Sequence, residues 1–131
     1  MPNYSAAQDI RDHLVALGYT DIWINHMPDM PDVATCTYDY GGEPDSAAMG
    51  NRVINEQYPR VQLVCRDNDQ EAGYNRIYAM YTALNGLIAT TINANVYDHI
   101  SALQTPFLMA AQDSHGRARF ACNFRLARKP V

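Results

Sequence analysis

No uninterrupted apolar run in this chain approaches the ~18 residues needed to cross a bilayer. The opening "MPNYSAAQDIRDH" lacks the basic start and apolar core of a secretion signal. A soluble protein made in a reducing compartment is therefore expected, with no membrane partner. Cysteine is scarce: Cys36, Cys65 and Cys122 lie far apart, without C-x-x-C spacing, and an odd number cannot all pair within one chain. Each sits in a strand-like stretch among apolar neighbours, so buried free thiols are expected.

Reactive clusters are missing as well. The four histidines, His13, His26, His99 and His115, show none of the spacings suited to zinc. "DNDQEAGYNRIY" places oxygens at Asp67, Asp69 and Glu71 like a calcium loop. It has Ala72 where that turn needs glycine and Tyr78 where a bidentate glutamate belongs. Phosphate loop, nucleophile elbow and dinucleotide fingerprint are all absent. The sequence thus assigns no catalytic residue, no metal ligand and no cofactor, and an enzyme is not expected.

What remains is one ordinary domain's worth of chain, 131 residues, long enough to bury a core without staples. "SAAQDIRDHLVALG" reads as a first helix, opened by Ser5 and Gln8 as a capping box and closed by Gly18, with Ile10, Leu14 and Leu17 as its apolar stripe. "DIWIN" reads as a short strand. "MPDMPD" must be a loop, because Pro28 and Pro31 do not suit a central strand. "VATCTYDY" and "RVQLVCR" read as strands, with Pro59 at the start of the second. Residues 41–52 between them are expected to form a mobile loop or hairpin tip. "NDQEAGYNRIYAMYTALNG" is a second helix, capped by Asp67 or Asp69, with Ile77, Tyr81 and Leu84 down one side. Strands follow near 88–93, at "VYDHISAL", at "PFLMAAQD" and at the close. The expected fold is α+β, a mixed, mostly antiparallel sheet with two helices on one face, in the order α-β-β-β-α-β-β-β over a single domain 1–131.

The closing "GRARFACNFRL" alternates with a period of two. Ala118, Phe120, Cys122, Phe124 and Leu126 fall on one side; Arg117, Arg119, Ala121, Asn123 and Arg125 fall on the other. Arg117, Arg119, Arg125, Arg128 and Lys129 crowd the last fifteen residues with no acid among them, whereas the other five bases face all fourteen acids. Local basic charge on an acidic body suggests contact with a protein neighbour rather than general DNA affinity.

Four stretches together, "MPDMPD", "YDYGGEPD", "YPRVQLVCRD" and "DSHGRARFACNFRL", resemble the bacteriophage minor capsid or tail terminator family of long-tailed phages. The shared order is a proline loop, a strand ending in Gly41-Gly42, P-x-V-Q-x-x-x-R ending at Arg66, a helix, and G-R-x-x-x-x-x-N-F through Asn123 and Phe124. The added "SAAMGNRVINEQ" departs from that pattern. The resemblance implies a structural virion protein, assembled in the host cytoplasm into a hexameric ring. That ring would cap the head-proximal end of the tail tube, stop its growth and join it to the head connector, with genomic DNA passing unbound through the lumen. Another neck protein of the same fold is the alternative; a small ligand-binding α+β domain is a further one. On the ring reading, Arg117, Arg119 and Arg125 of one subunit meet acids such as Asp39, Glu43 or Asp45 of the next, and Arg66, Asn123, Tyr40, Gly41 and Gly42 are further candidate interface residues. Trp23, Tyr38, Tyr40 and Met49 are candidate apolar anchors.

Overall fold

The computed structural model describes residues 4–47 and 54–129, the side chains of 44–47 and 54–55 excepted. Helix α1 (Ala6–Ala16) is followed by β1 (Ile22–Ile24), β2 (Ala34–Ala47) and β3 (Ile54–Asp67). Helix α2 (Gln70–Leu84) then leads to β4 (Leu87–Ile92), β5 (Asn95–Ala102), β6 (Phe107–Ala110) and β7 (Ala118–Lys129). The helix starts are those the capping residues specify. The Ser5 hydroxyl accepts from the Gln8 amide at 3.2 Å, and the Asp69 carboxylate accepts from Glu71 N at 3.1 Å. Beyond α1, Gly18 takes φ +103°, a conformation that glycine adopts without a steric penalty.

The strands form one mixed sheet in the order β1-β2-β3-β7-β5-β4, with β6 also paired to β7. Among the described residues only the β1–β2 pairing is parallel. Four strands follow α2, at the four stretches read from the sequence, so the summary order α-β-β-β-α-β-β-β counts one strand too few. The chain bends at 103–106, around Pro106, so β5 and β6 lie one after the other along the same side of β7.

Both helices cover one face. Ala118, Phe120, Cys122, Phe124 and Leu126 of β7 join Val61, Leu63 and Cys65 of β3 beneath Ile10 and Leu14 of α1 and Ile77, Met80 and Leu84 of α2. All three cysteines are buried and unpaired. Gly73 lets α2 sit close to the sheet, since a Cβ there would lie 2.9 Å from Asp67 Cβ. Two helical expectations change. Leu17 is the exposed C-cap of α1 rather than part of its stripe. On α2, Met80 occupies the buried line, while Tyr81 is only partly buried and Tyr74 and Tyr78 are exposed.

The strands flanking the 41–52 segment are longer than expected, since Gly41–Ala47 continue β2 and pair with β3 back to Ile54. Residues 48–52 of that expectation lie outside the described residues. Pro59 falls inside β3 rather than at its start. The β2–β3 register shifts between Tyr40 and Glu43, just where Pro59 has no N–H to give, so a bulge absorbs the missing bond. At that bulge a Cβ on Gly42 would collide with the Tyr58 carbonyl.

Candidate interaction face

The helix-free face of the sheet is built by the side chains that alternate away from the core. The register sets Tyr40, Arg60, Arg125 and Ser101 in one row and Tyr38, Gln62 and Asn123 in the next. Ala34, Arg66, Arg119 and Ala110 form a row nearer the other end. Arginines from two of these rows thus share one face, but they do not share one role.

Arg66 is buried, only 1% exposed, and the proline loop closes over it. Its Nη2 donates to the carbonyls of Pro28 (2.7 Å), Pro31 (2.7 Å) and Asp29 (3.2 Å), and Nε donates to that of Asp32 (3.2 Å). Burial, with Arg117 and Arg119 nearby, lowers its pKa. A planar fork with several fixed donors suits this task, whereas a lysine would present a single point charge. Arg66 therefore holds the 28–32 loop on the sheet.

Arg117 corrects the sequence expectation most clearly. The alternation puts it on the wet face, yet it is buried just before β7 begins. Its Nε donates to Asp113 Oδ2 at 2.8 Å and Nη2 to Asp29 Oδ1 at 2.9 Å, while Nη1 donates to the Asp29 carbonyl and lies 3.4 Å from Asp32 Oδ1. The Asp113 carboxylate also accepts from the Arg117 and His115 amides, and these bonds hold it far below the usual carboxylate range. Arg117 donation likewise lowers Asp29. The loop is thus pinned from two sides.

The remaining candidates divide by exposure. Arg125 and Glu43 are exposed, Tyr40 and Gly41 are exposed beside them, and Arg119 and Asn123 are half-buried. Asp39 spends both oxygens at home, accepting from Ala7 N (2.9 Å) at the start of α1 and from Asn25 Nδ2 (2.9 Å). It is therefore not a free acid for a neighbour. Gly42 packs against β3, the Asp45 side chain is not described, and Met49 lies outside the described residues. Trp23 and Tyr38 are half-buried.

One cluster escaped sequence reasoning. Asp9, completely buried in the first turn of α1, accepts from Asn95 Nδ2 (2.9 Å), Asn93 Nδ2 (3.0 Å), the Tyr97 hydroxyl and Arg128 Nη1 (3.1 Å). Arg128 also donates to Gln57 Oε1 at 2.8 Å and to the Tyr4 carbonyl at 3.0 Å. Burial and the Asp9 carboxylate push the Tyr97 phenol well above its ordinary range. The alternation that puts Phe124 and Leu126 inside puts Arg128 inside too, a signal available in the sequence. Of the five closing cations, two are thus spent on internal ion pairs, and Lys129 stands 3.8 Å from Asp98.

Among the described residues, no group of histidine, cysteine and acidic side chains is arranged to hold a metal. A cavity of about 450 Å³ lies at the β2 bulge, lined by Tyr40, Gly42, Glu43, Gln57, Pro59 and Arg128. Its one cation, Arg128, is already committed to Asp9. What the face offers is a pinned loop, a basic open surface and an exposed β2 segment at Gly41–Glu43.

A family model described as "Bacteriophage tail terminator protein" matches residues 10–130. A solved structure superposes with a TM-score of 0.51 at 13% identity, covering 97% of each chain, which speaks for the fold alone. No curated protein matches the chain.

Proposed function

This chain belongs to the bacteriophage tail terminator family, and from that premise we propose that it works as a ring of six copies at the head-proximal end of the tail tube. There it ends tube growth and joins the tube to the head connector, with DNA threading the central hole. As a tail terminator it is a structural component of the virion tail. The family match across nearly the whole domain carries this reading.

The surface chemistry supports how such a ring would close. A ring needs two unlike patches on each subunit, because head-to-tail contacts close a circle whereas self-matching ones stop at a dimer. Arg125 and Arg119 on the open face provide one patch, and Glu43 beside Tyr40 on the β2 arm provides the other. Exposed ion pairs contribute only about 0–1 kcal/mol each, so they set register while apolar groups supply affinity. Basic strands that mate with a neighbour leave the hole neutral or acidic, and a lumen without positive charge lets duplex DNA slide.

The test is Arg119→Glu with Arg125→Glu. The double variant should remain folded by circular dichroism and run as a monomer, where the parent assembles into rings visible in negative stain. Normal rings from the double variant would refute the arginine contact. Rings whose lumen is lined by Arg119 and Arg125 would refute the charge argument.

A further inference from the structure

A sheet edge is a row of unpaired backbone donors and acceptors, and folded proteins usually blunt it. In this sheet most edges are blunted by identifiable means. β1 is three residues long, and Arg11 Nε donates to the Ile22 carbonyl at 3.3 Å. β4 is kinked by Ala89 at φ +49°, and the Thr90 hydroxyl donates to the Ile88 carbonyl at 3.1 Å. On β2, Asn25 Oδ1 accepts from the Asp39 amide at 2.8 Å. On β5, Asn85 Oδ1 accepts from the Ala102 amide at 2.9 Å.

Two stretches carry no side-chain hydrogen bond of that kind on their outer backbone among the described residues, and each keeps only a register irregularity, between Leu108 and Ala110 and between Tyr40 and Glu43. The first is the line from Leu103 to Ala110. β4 pairs with β5 only as far as Ile100, and nothing lies outside β6. This segment, "LQTPFLMA", carries no charge and shows Leu103, Phe107, Leu108 and Met109. Leu108 pairs with Phe120, whose ring meets Tyr74 edge-on at 5.6 Å, and Tyr78 follows at 5.9 Å from Tyr74. Those six large side chains are each 36–45% exposed. At ~200 Å² per side chain they present roughly 500 Å² of largely apolar surface. That matches the apolar share of one side of a standard interface, about 57% of ~800 Å².

The second open stretch is the outer side of β2 at Tyr40–Glu43, beyond the reach of β1, which pairs only with Thr35, Cys36 and Thr37. It lies on the opposite side of the same sheet. Its Glu43 is exposed, and Arg119 stands in register with Ala110 at the first stretch.

We propose that the Leu103–Ala110 edge of one copy takes the Tyr40–Glu43 edge of the next copy as an added strand, so that the sheet runs on from subunit to subunit. This rests on the ring reading and names the contact that closes it. Opposite edges with unlike chemistry meet head to tail, Glu43 comes to Arg119, and Tyr40 supplies apolar cover over Phe107.

Oxidative cross-linking of Met109→Cys combined with Gly41→Cys tests this. Met109 is exposed, a Cβ on Gly41 meets nothing within 4 Å, and the three native thiols are buried. The double variant should give a ladder of covalent multimers, each single variant should give none, and adding Leu108→Glu should abolish the ladder. Dimers from Met109→Cys alone would mean that two identical edges meet, which overturns the proposal. Rings that form without any cross-link overturn it while leaving the ring reading intact. A chain that stays monomeric at high concentration overturns both.

Discussion

Asp9→Asn removes one charge from the best-enclosed ion pair among the described residues and keeps the shape. The carboxylate is wholly buried, and its Oδ2 receives three donors: Asn95 Nδ2, the Tyr97 hydroxyl and Arg128 Nη1. Its Oδ1 receives Asn93 Nδ2. An amide offers one acceptor oxygen to this ring of donors and sets its own NH₂ against the rest. Arg128 then stays buried without a counter-charge. Removing one partner of such a pair costs about 3–5 kcal/mol. Against a total stability of ~5–15 kcal/mol for a domain, that is a large share. For a domain of this size it lowers Tm by roughly 10–20 °C. Urea unfolding followed through Trp23, the one tryptophan, gives the free energy directly. Arg128→Met and the double variant complete a cycle. Because the two groups share partners, their losses should overlap by at least ~1 kcal/mol rather than add. Asp9→Asn within about 1 kcal/mol of the parent, or strictly additive losses, would refute the reasoning.

Arg117 sets the acid limb of stability. Its guanidinium lowers Asp29 and adds to the backbone N–H bonds that chiefly lower Asp113, so its contribution is complete above the unfolded carboxylate pKa of ~4 and fades as pH falls through the lower folded values. The stability gap between the parent and Arg117→Met should therefore narrow between about pH 5 and pH 2 in thermal melts; a constant gap would disprove the linkage. The thiols offer another check. Burial pushes Cys122 up to about 12 and raises Cys36 and Cys65, so a thiol reagent at mildly alkaline pH should label none of the three until denaturant is added. Rapid labelling of the native chain would contradict that burial.

Local chemistry was legible in the sequence, and distant pairing was not. Ser5 and Asp69 announce the two helices because a cap acts within three residues. Period-two alternation in β7 identifies Phe120, Cys122, Phe124 and Leu126 as core because a pleat repeats every two residues. Arg117 misled the same rule. It stands one residue before β7, where the pleat no longer directs the side chain and Asp29, 88 positions earlier, does. Arg66 looked like a surface charge, since nothing near it in sequence reveals that a proline loop 34–38 positions away needs a donor. Asp9 and Arg128, separated by 119 positions, lie beyond any local window. The open edge at 103–110 shows only in the topology, because it depends on where β4 stops.

β7 sits between β3 and both β5 and β6, yet it is the last of the seven strands to leave the ribosome. Until it emerges, the earlier hairpins have no common neighbour, and Asp9 waits for Arg128. The domain therefore matures only after synthesis has passed its closing strand.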